Sequence, residues 1–377
     1  MAAIERLRRI ASAWTSGLFG GVFGGLLAGG GSAHAAPLPD DQAELMFHSY
    51  DGGGVRASGP ALLVRKSLAD RVSLSAQYYV DAVSNASIDV VTTASPFRET
   101  RHEWQLGATG VVRDATLTLT GSHSAEPDYL ADAINADIAH EVFGGMTTVS
   151  LGFYRGHDEV GKKGTPGWID TATHWKYRVG VTQILSPRWL VSLNAEAVAD
   201  SGYLGSPYRV ARIFGAAVPE RDPRTRSSRA LTLRTTLDTG DWLPRSSLRA
   251  EYRTYWDNWA IRAGTAEIGA AKYLGANFLV DARLRVYSQR KALFYSDNAG
   301  AETQYLSRNR QLGTFDSTTV GAGVAYSWPR APAGWDVKLN AAYQRIAYRY
   351  KDFTDLRTGR PYADDANVLQ LYITAAY

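Results

Sequence analysis

The segment from Phe278 to Tyr287 sorts its side chains by parity. Phe278, Val280, Ala282, Leu284 and Val286 fall on one face, and Asp281, Arg283, Arg285 and Tyr287 on the other. A period of two residues is that of a β-strand with one apolar and one polar face. The pattern recurs. Leu248, Ala250 and Tyr252 alternate with Arg249, Glu251 and Arg253; Trp175, Tyr177 and Val179 alternate with Lys176 and Arg178. Glu196 stands opposite Val191, Leu193, Ala195 and Ala197, and Arg234 joins the charged set. Charges of both signs thus share one surface. A Lys or Arg at the middle of a bilayer costs about 2–4 kcal/mol, so this parity fits strands with one face in lipid and the other lining water. A soluble sandwich would satisfy the alternation too, and the ends of the chain bear on that choice.

Residues 1–35 read as an export signal. Arg6, Arg8 and Arg9 precede an apolar run rich in Gly and Ala, and Ala33-His34-Ala35 supplies a small-x-small cleavage pattern. Cleavage after Ala35 is expected, leaving 36–377 as a single domain. At the other end, Leu369 to Tyr377 alternates again and stops on an aromatic residue. This terminus resembles the closing strand of bacterial outer-membrane barrels, usually ended by Phe, which implies recognition by the barrel-insertion machinery. Cysteine is absent, which removes disulfides, thiolate metal sites and cysteine nucleophiles. A formal charge of +4 gives no reason to expect a nucleic-acid partner. The 21 Tyr and 10 Trp are rings with a polar tip, suited to a membrane interface.

Between these ends, alternating segments come in pairs joined by a short turn and followed by a longer polar stretch. Short turns are expected at 68–70, 113–114, 143–145, 185–187, 239–244, 273–275 and 329–334. Longer polar stretches fall at 82–100, 125–130, 156–172, 201–227, 291–314 and 351–366, with 256–258 a short link on that side. About 16 strands result, with both ends at the short-turn rim. Roughly eleven residues at about 3.3 Å each, tilted by about 40°, cover about 27 Å, close to the apolar band of such proteins. No segment reads as a spanning helix, so only a closed sheet can satisfy the backbone in lipid. The expected fold is all-β, a transmembrane antiparallel up-and-down β-barrel surrounded by outer-membrane lipids. Segments 59–66 and 259–272 alternate poorly, and a bulge or shifted register is expected there.

Two loop motifs carry a resemblance. The run Asp81-Ala82-Val83-Ser84-Asn85-Ala86-Ser87-Ile88-Asp89-Val90-Val91 continues through Ala94-Ser95-Pro96-Phe97-Arg98-Glu99-Thr100-Arg101, and Ser124-Ala125-Glu126-Pro127-Asp128-Tyr129 follows later. Together they resemble the signature loops of an uncharacterised proteobacterial outer-membrane barrel family, domain of unknown function 3570. The resemblance spans essentially the whole exported chain. It singles out Asp81, Ser84, Ser87, Asp89, Glu99, Arg101, Glu126, Asp128 and Tyr129 as extracellular loop residues. It implies no defined activity. Relatives encoded beside small lipoproteins, thioredoxin-like proteins and flavin-transfer enzymes imply an envelope redox or assembly setting, and hence an envelope partner. Carboxylates of Asp81, Asp89, Glu126 and Asp128 at one rim would suit a hard cation such as Ca²⁺. The simpler expectation is that these loops close by side-chain to backbone hydrogen bonds and that Glu99 pairs with Arg101.

Catalytic patterns are weak. A lipid hydrolase in this membrane needs a Ser, a His and an orienting polar partner at the lipid boundary. With a turn at 113–114, His123 lies across from Trp104 on the outward face, an aromatic-belt position, while Ser122 faces inward. His157 and His174 flank a loop with no closely spaced second His, a poor metal pattern. Asp51-Gly52-Gly53-Gly54 reads as a turn and not as a phosphate loop. Neither an enzyme nor a cofactor is expected. Two function classes stay open. One is a channel or transporter whose mixed-charge lumen sets a weak ion preference, with 201–227 and its Arg209, Arg212, Arg221, Arg224 and Arg226 folded inward as a constriction. The other is a non-conducting sheath that docks an envelope protein.

Overall fold

Sixteen of the alternating segments form one antiparallel sheet that closes on itself. The computed structural model describes residues 38–69, 71–85, 97–162, 164–165, 167–329, 331 and 334–377, so the expected export signal, Ser87 and Asp89 lie outside the described residues. The first half of the barrel is β1 (Gln42–Gly52), β2 (Val55–Leu68), β3 (Val72–Asn85), β4 (Phe97–Val112), β5 (Ala115–Glu126), β6 (Tyr129–Val142), β7 (Thr147–Gly161) and β8 (Ile169–Ser186). After β9 (Trp189–Gly202) a separate small hairpin, β10 (Val210–Ile213) and β11 (Ala216–Pro219), interrupts the series. The barrel resumes with β12 (Thr225–Asp238), β13 (Ser246–Asp257), β14 (Arg262–Leu274), β15 (Phe278–Arg290), β16 (Phe315–Ser327), β17 (Asp336–Asp355) and β18 (Arg360–Ala376), and β12 pairs directly with β9. The sheet closes where β18 pairs with β1 along the whole of β1.

Antiparallel partners point to the same side, so face can be followed around the ring. From Arg249 the register passes to Gly269, Arg283, Gly321, Gln344, Val368 and Tyr50. The opposite parity carries the large apolar side chains: Leu106 and Ile134 are 64% and 57% exposed, and Leu45, Phe47, Leu284, Leu371 and Ile373 are exposed as well. An apolar exterior of this extent requires an apolar solvent. Aromatic side chains bound it at both ends. Tyr78 packs on Trp104 at 4.1 Å toward the long-loop rim, and Trp335 packs on Tyr377 at 5.4 Å at the other.

Several expectations are corrected. The stretch 125–130 is no long loop, because β5 and β6 run up to the Glu126↔Tyr129 pair and leave only Pro127-Asp128 at the tip. Likewise β17 and β18 extend to Asp355 and from Arg360, and β7 and β8 extend to Gly161 and from Ile169. Strands continue beyond the bilayer with polar residues on both faces, and the loss of alternation there is not the end of the ladder. Within these segments, 59–65 and 262–272 keep continuous register with β1 and β13, and 259–261 belong to the link before β14. The ladder between β2 and β3 skips Gly59 and Pro60 without changing register. Register shifts occur instead at Ile184/Ser186 and Arg349/Thr354. Gly and Ala had blurred the alternation without moving the strands. The Gly53-Gly54 turn, at φ +60° and +75°, is a left-handed pair that glycine adopts without strain.

Candidate functional site: the charged lumen and its cap

The inward face is a lattice of ion pairs. On β12 to β14, Arg234 donates to Glu251 (2.6 Å) and Arg249 to Glu267 (2.6 Å), while Arg253 reaches Glu196 on β9 (3.3 Å). On the intervening strand β12, Thr232 is the register partner of Arg253 and Ala230 that of Glu196. Arg178 donates to Asn135 (2.6 Å) and Asp137 (2.8 Å) across the intervening strand, where Gly152 carries no side chain. A Cβ at Gly152 would stand 2.6 Å from Arg178 Nε, and one at Gly321 would stand 3.0 Å from Arg283 Nε. Inward glycines therefore let these long side chains lie along the wall. Lys176 sits 5.7 Å from the Tyr154 ring centre, a cation–π distance. Arg283 and Arg285 form no ion pair among the described residues, and Arg285 is exposed within the lumen.

Two histidines belong to this lattice, and sequence reading missed both. His174 places Nδ1 2.8 Å from Asp200 and Nε2 2.9 Å from Asp158, and Tyr129 also donates to Asp158. Both ring nitrogens face carboxylates, an arrangement that a doubly protonated imidazolium satisfies. His48 stacks on Tyr79 with ring centres 4.5 Å apart and lies 2.6 Å from Asp81, which accepts from Arg101 at 2.7 Å on its other oxygen. The inward parity of His48 and His174 was readable; their partners on other strands depend on register.

This geometry relocates the loop residues. Asp81 and Arg101 are inward members of β3 and β4, and Arg101 pairs with Asp81 and, at 3.8 Å, with Glu103, while the expected Glu99 side chain lies outside the described residues. Ser84 and Glu99 are register partners of Arg98 and Val83 at the upper ends of the same two strands. Asp128 accepts a hydrogen bond from Tyr208, and Tyr129 points into the lumen. Asp81, Glu126 and Asp128 are thus not gathered for a cation; among the described residues no group of three or more His, Cys, Asp or Glu side chains is placed to hold a metal. His123 does pair in register with Trp104, and its Nδ1 is 2.8 Å from Asp132 on the outward face, with Ser122 facing inward.

The long-loop mouth carries a cap. Segments 203–224 and 291–314 are joined by backbone hydrogen bonds between Arg221 and Leu306 (2.9 and 3.0 Å), from Phe214 N to Ala299 O (3.0 Å) and from Ala299 N to Arg212 O (2.8 Å). The 3₁₀ turn Arg310–Leu312 lies in the second segment. Trp259, Ile261, Ala292, Tyr295 and Leu312 form an apolar cluster that seats it on the β13–β14 link. Arg308, only 4% exposed on its side chain, donates to Asp297 and to Thr354 O (2.8 Å) and lies 4.3 Å over Phe353, fastening the cap to β17. Tyr208 reaches the β5–β6 tip at Asp128. Of the five arginines expected in an inward constriction at 201–227, four are held by partners on the chain. Arg221 pairs with Glu302, Arg224 chelates Asp170 through two 2.7 Å bonds, Arg212 binds Gly215 O, and Arg226 belongs to β12 and pairs with Asp257.

The seam between the two cap segments holds buried carboxyl groups. Asp222 has a buried Oδ1 without a hydrogen-bond partner, and Arg308 N donates to Glu220 at 2.8 Å. Burial, followed by the neighbouring Glu220 charge, pushes the Asp222 carboxyl up to about 7, against the opposing pull of Arg209, Arg226 and the Ser307 hydroxyl.

A closed sixteen-strand barrel with an apolar exterior, aromatic borders and a charged interior defines an outer-membrane β-barrel protein. A solved structure of that class shares the fold. A bacterial polysaccharide outer-membrane secretin superposes with a TM-score of 0.52 at 10% identity, covering 89% of this chain and 98% of its own. OmpT of Vibrio cholerae, lacking loop L8, gives 0.47 at 10% identity over 90% and 98%. A Pseudomonas aeruginosa FadL homologue gives 0.42 at 12% identity over 89% and 90%. No curated protein matches in sequence. The chain belongs to the family described as Protein of unknown function (DUF3570), whose model matches residues 30–172 and 167–352.

Proposed function

We propose that the barrel is a channel or transporter for polar solutes across the outer membrane. One observation carries this reading. Charged side chains on the inner wall keep contact with solvent, with Arg234 and Arg253 exposed by 39% and 37% on their side chains. Side chains alone do not fill a ring of this strand number, and barrels of 16 to 18 strands enclose water. Carboxylates offset most of the wall's arginines, so the expected ion preference is weak, with Lys176, Arg283 and Arg285 among the inward cations that form no ion pair among the described residues.

The test is single-channel recording of the purified protein in planar bilayers. Discrete open steps are expected, with a small reversal potential in a salt gradient. Arg285→Glu is expected to move that potential toward cation selectivity, since it reverses an exposed lumen charge. Silence of both proteins, together with a co-purifying periplasmic partner, would refute conduction and favour the sheath.

A further inference from the structure

The outward face of β12 to β15 carries charge that nothing among the described residues balances. Near the long-loop rim the register runs from Arg229 to Trp256, from Trp256 to Arg262, and from Arg262 to Arg290. All four residues are exposed. Arg262 and Arg290 are direct partners, which places their Cβ atoms about 5 Å apart, and like charges so placed repel. Among the described residues none of the three arginines forms an ion pair, and Asp316, the outward carboxylate on β16, is already paired with Lys351 at 2.7 Å.

Height narrows the choice of counter-charge. Leu231 lies two positions below Arg229 on the same face, and Val286 lies four below Arg290. Two to four residues of tilted strand rise about 5–10 Å, which sets the arginines just beyond the apolar band. Long loops of bacterial barrels face the cell exterior, so this layer is the headgroup region of the outer leaflet. Planar guanidinium groups chelate phosphate oxygens through paired N–H bonds, and an indole at this depth can pack against a sugar ring or the top of an acyl chain. We propose that Arg229, Arg262 and Arg290, with Trp256 between them, hold the phosphate groups of an outer-leaflet glycolipid. The proposal does not depend on whether the lumen conducts.

Native mass spectrometry of the detergent-solubilised protein tests it, with chelator present to exclude bridging cations. The probes are bisphosphorylated lipid A, lipid A stripped of its phosphates, phosphatidylethanolamine and inorganic phosphate. Wild type is expected to retain bisphosphorylated lipid A at least about tenfold better than the other two lipids, and Arg262→Gln/Arg290→Gln to lose that preference. Unchanged heat-modifiable gel migration would establish that the variant is folded. Equal retention of all lipids by wild type, or an unaltered preference in the folded variant, overturns the proposal. Displacement of lipid A by millimolar inorganic phosphate would also overturn it, since the site would then be one for a free anion. Should the double variant not fold, the wild-type comparison between phosphorylated and stripped lipid A decides alone.

Discussion

Asp257→Ala should lower the stability of the barrel's long-loop end by about 3–5 kcal/mol, the cost of removing one partner from a buried, hydrogen-bonded ion pair. The Asp257 side chain is fully buried and accepts from Arg226 (2.7 Å), Tyr255 (2.9 Å) and the Ile261 amide (2.8 Å). Truncation strands all three donors, and Arg226, 4.5 Å over the Trp259 ring, loses the anion that positions it. Because Trp259 belongs to the apolar cluster under the cap, the loss should spread from the β13–β14 link into 291–295. Hydrogen exchange should quicken in 258–264 and 291–295 while the β1–β18 closure stays protected. A uniform loss of protection would mean instead that Asp257 supports the whole ring.

The second large effect concerns pH. Asp222 titrates near 7 in the closed cap and at an ordinary 3.8 once solvated, so the closed state binds one more proton between those values. Closure is therefore favoured most below about pH 4 and weakens by about 1.4 kcal/mol for each unit as pH rises toward 7, with no further change above. Hydrogen exchange in 203–224 and 291–314, corrected for intrinsic chemistry, should accelerate from pH 5 to pH 8. Asp222→Asn should flatten that dependence, because an amide carries no charge at either pH. If wild type and variant show the same slope, another group governs the seam. The groups facing Asp222, namely Glu220, Arg209, Arg226, Tyr203 and Ser307, name where to look.

Parity carried most of what was legible in the sequence. Where apolar and charged residues alternate strictly, as in 278–287 and 247–255, one face of the strand follows from the chemistry of each side chain, and Arg249 and Arg283 lie on the inward wall. The strand number followed because turn residues punctuate the alternation. Partnership was not legible. His174 meets Asp158 and Asp200 from two flanking strands, and a shift of one residue in either register would separate them. Loop length was misread for a related reason: beyond the bilayer both faces of a strand are wet, so polarity ceases to mark where the ladder ends. The cap rests on backbone hydrogen bonds between segments about 85 residues apart, such as Arg221 with Leu306, which no local pattern announces.

The glycines beneath Arg178 and Arg283 have a consequence for the shape of the inner wall. Side chains that recline on bare backbone present charge as a smooth coating, without spokes reaching toward the axis. Width and polarity are then set by different residues, and bulk added at 152 or 321 would lift a guanidinium off its bed and narrow the lumen without altering the net charge.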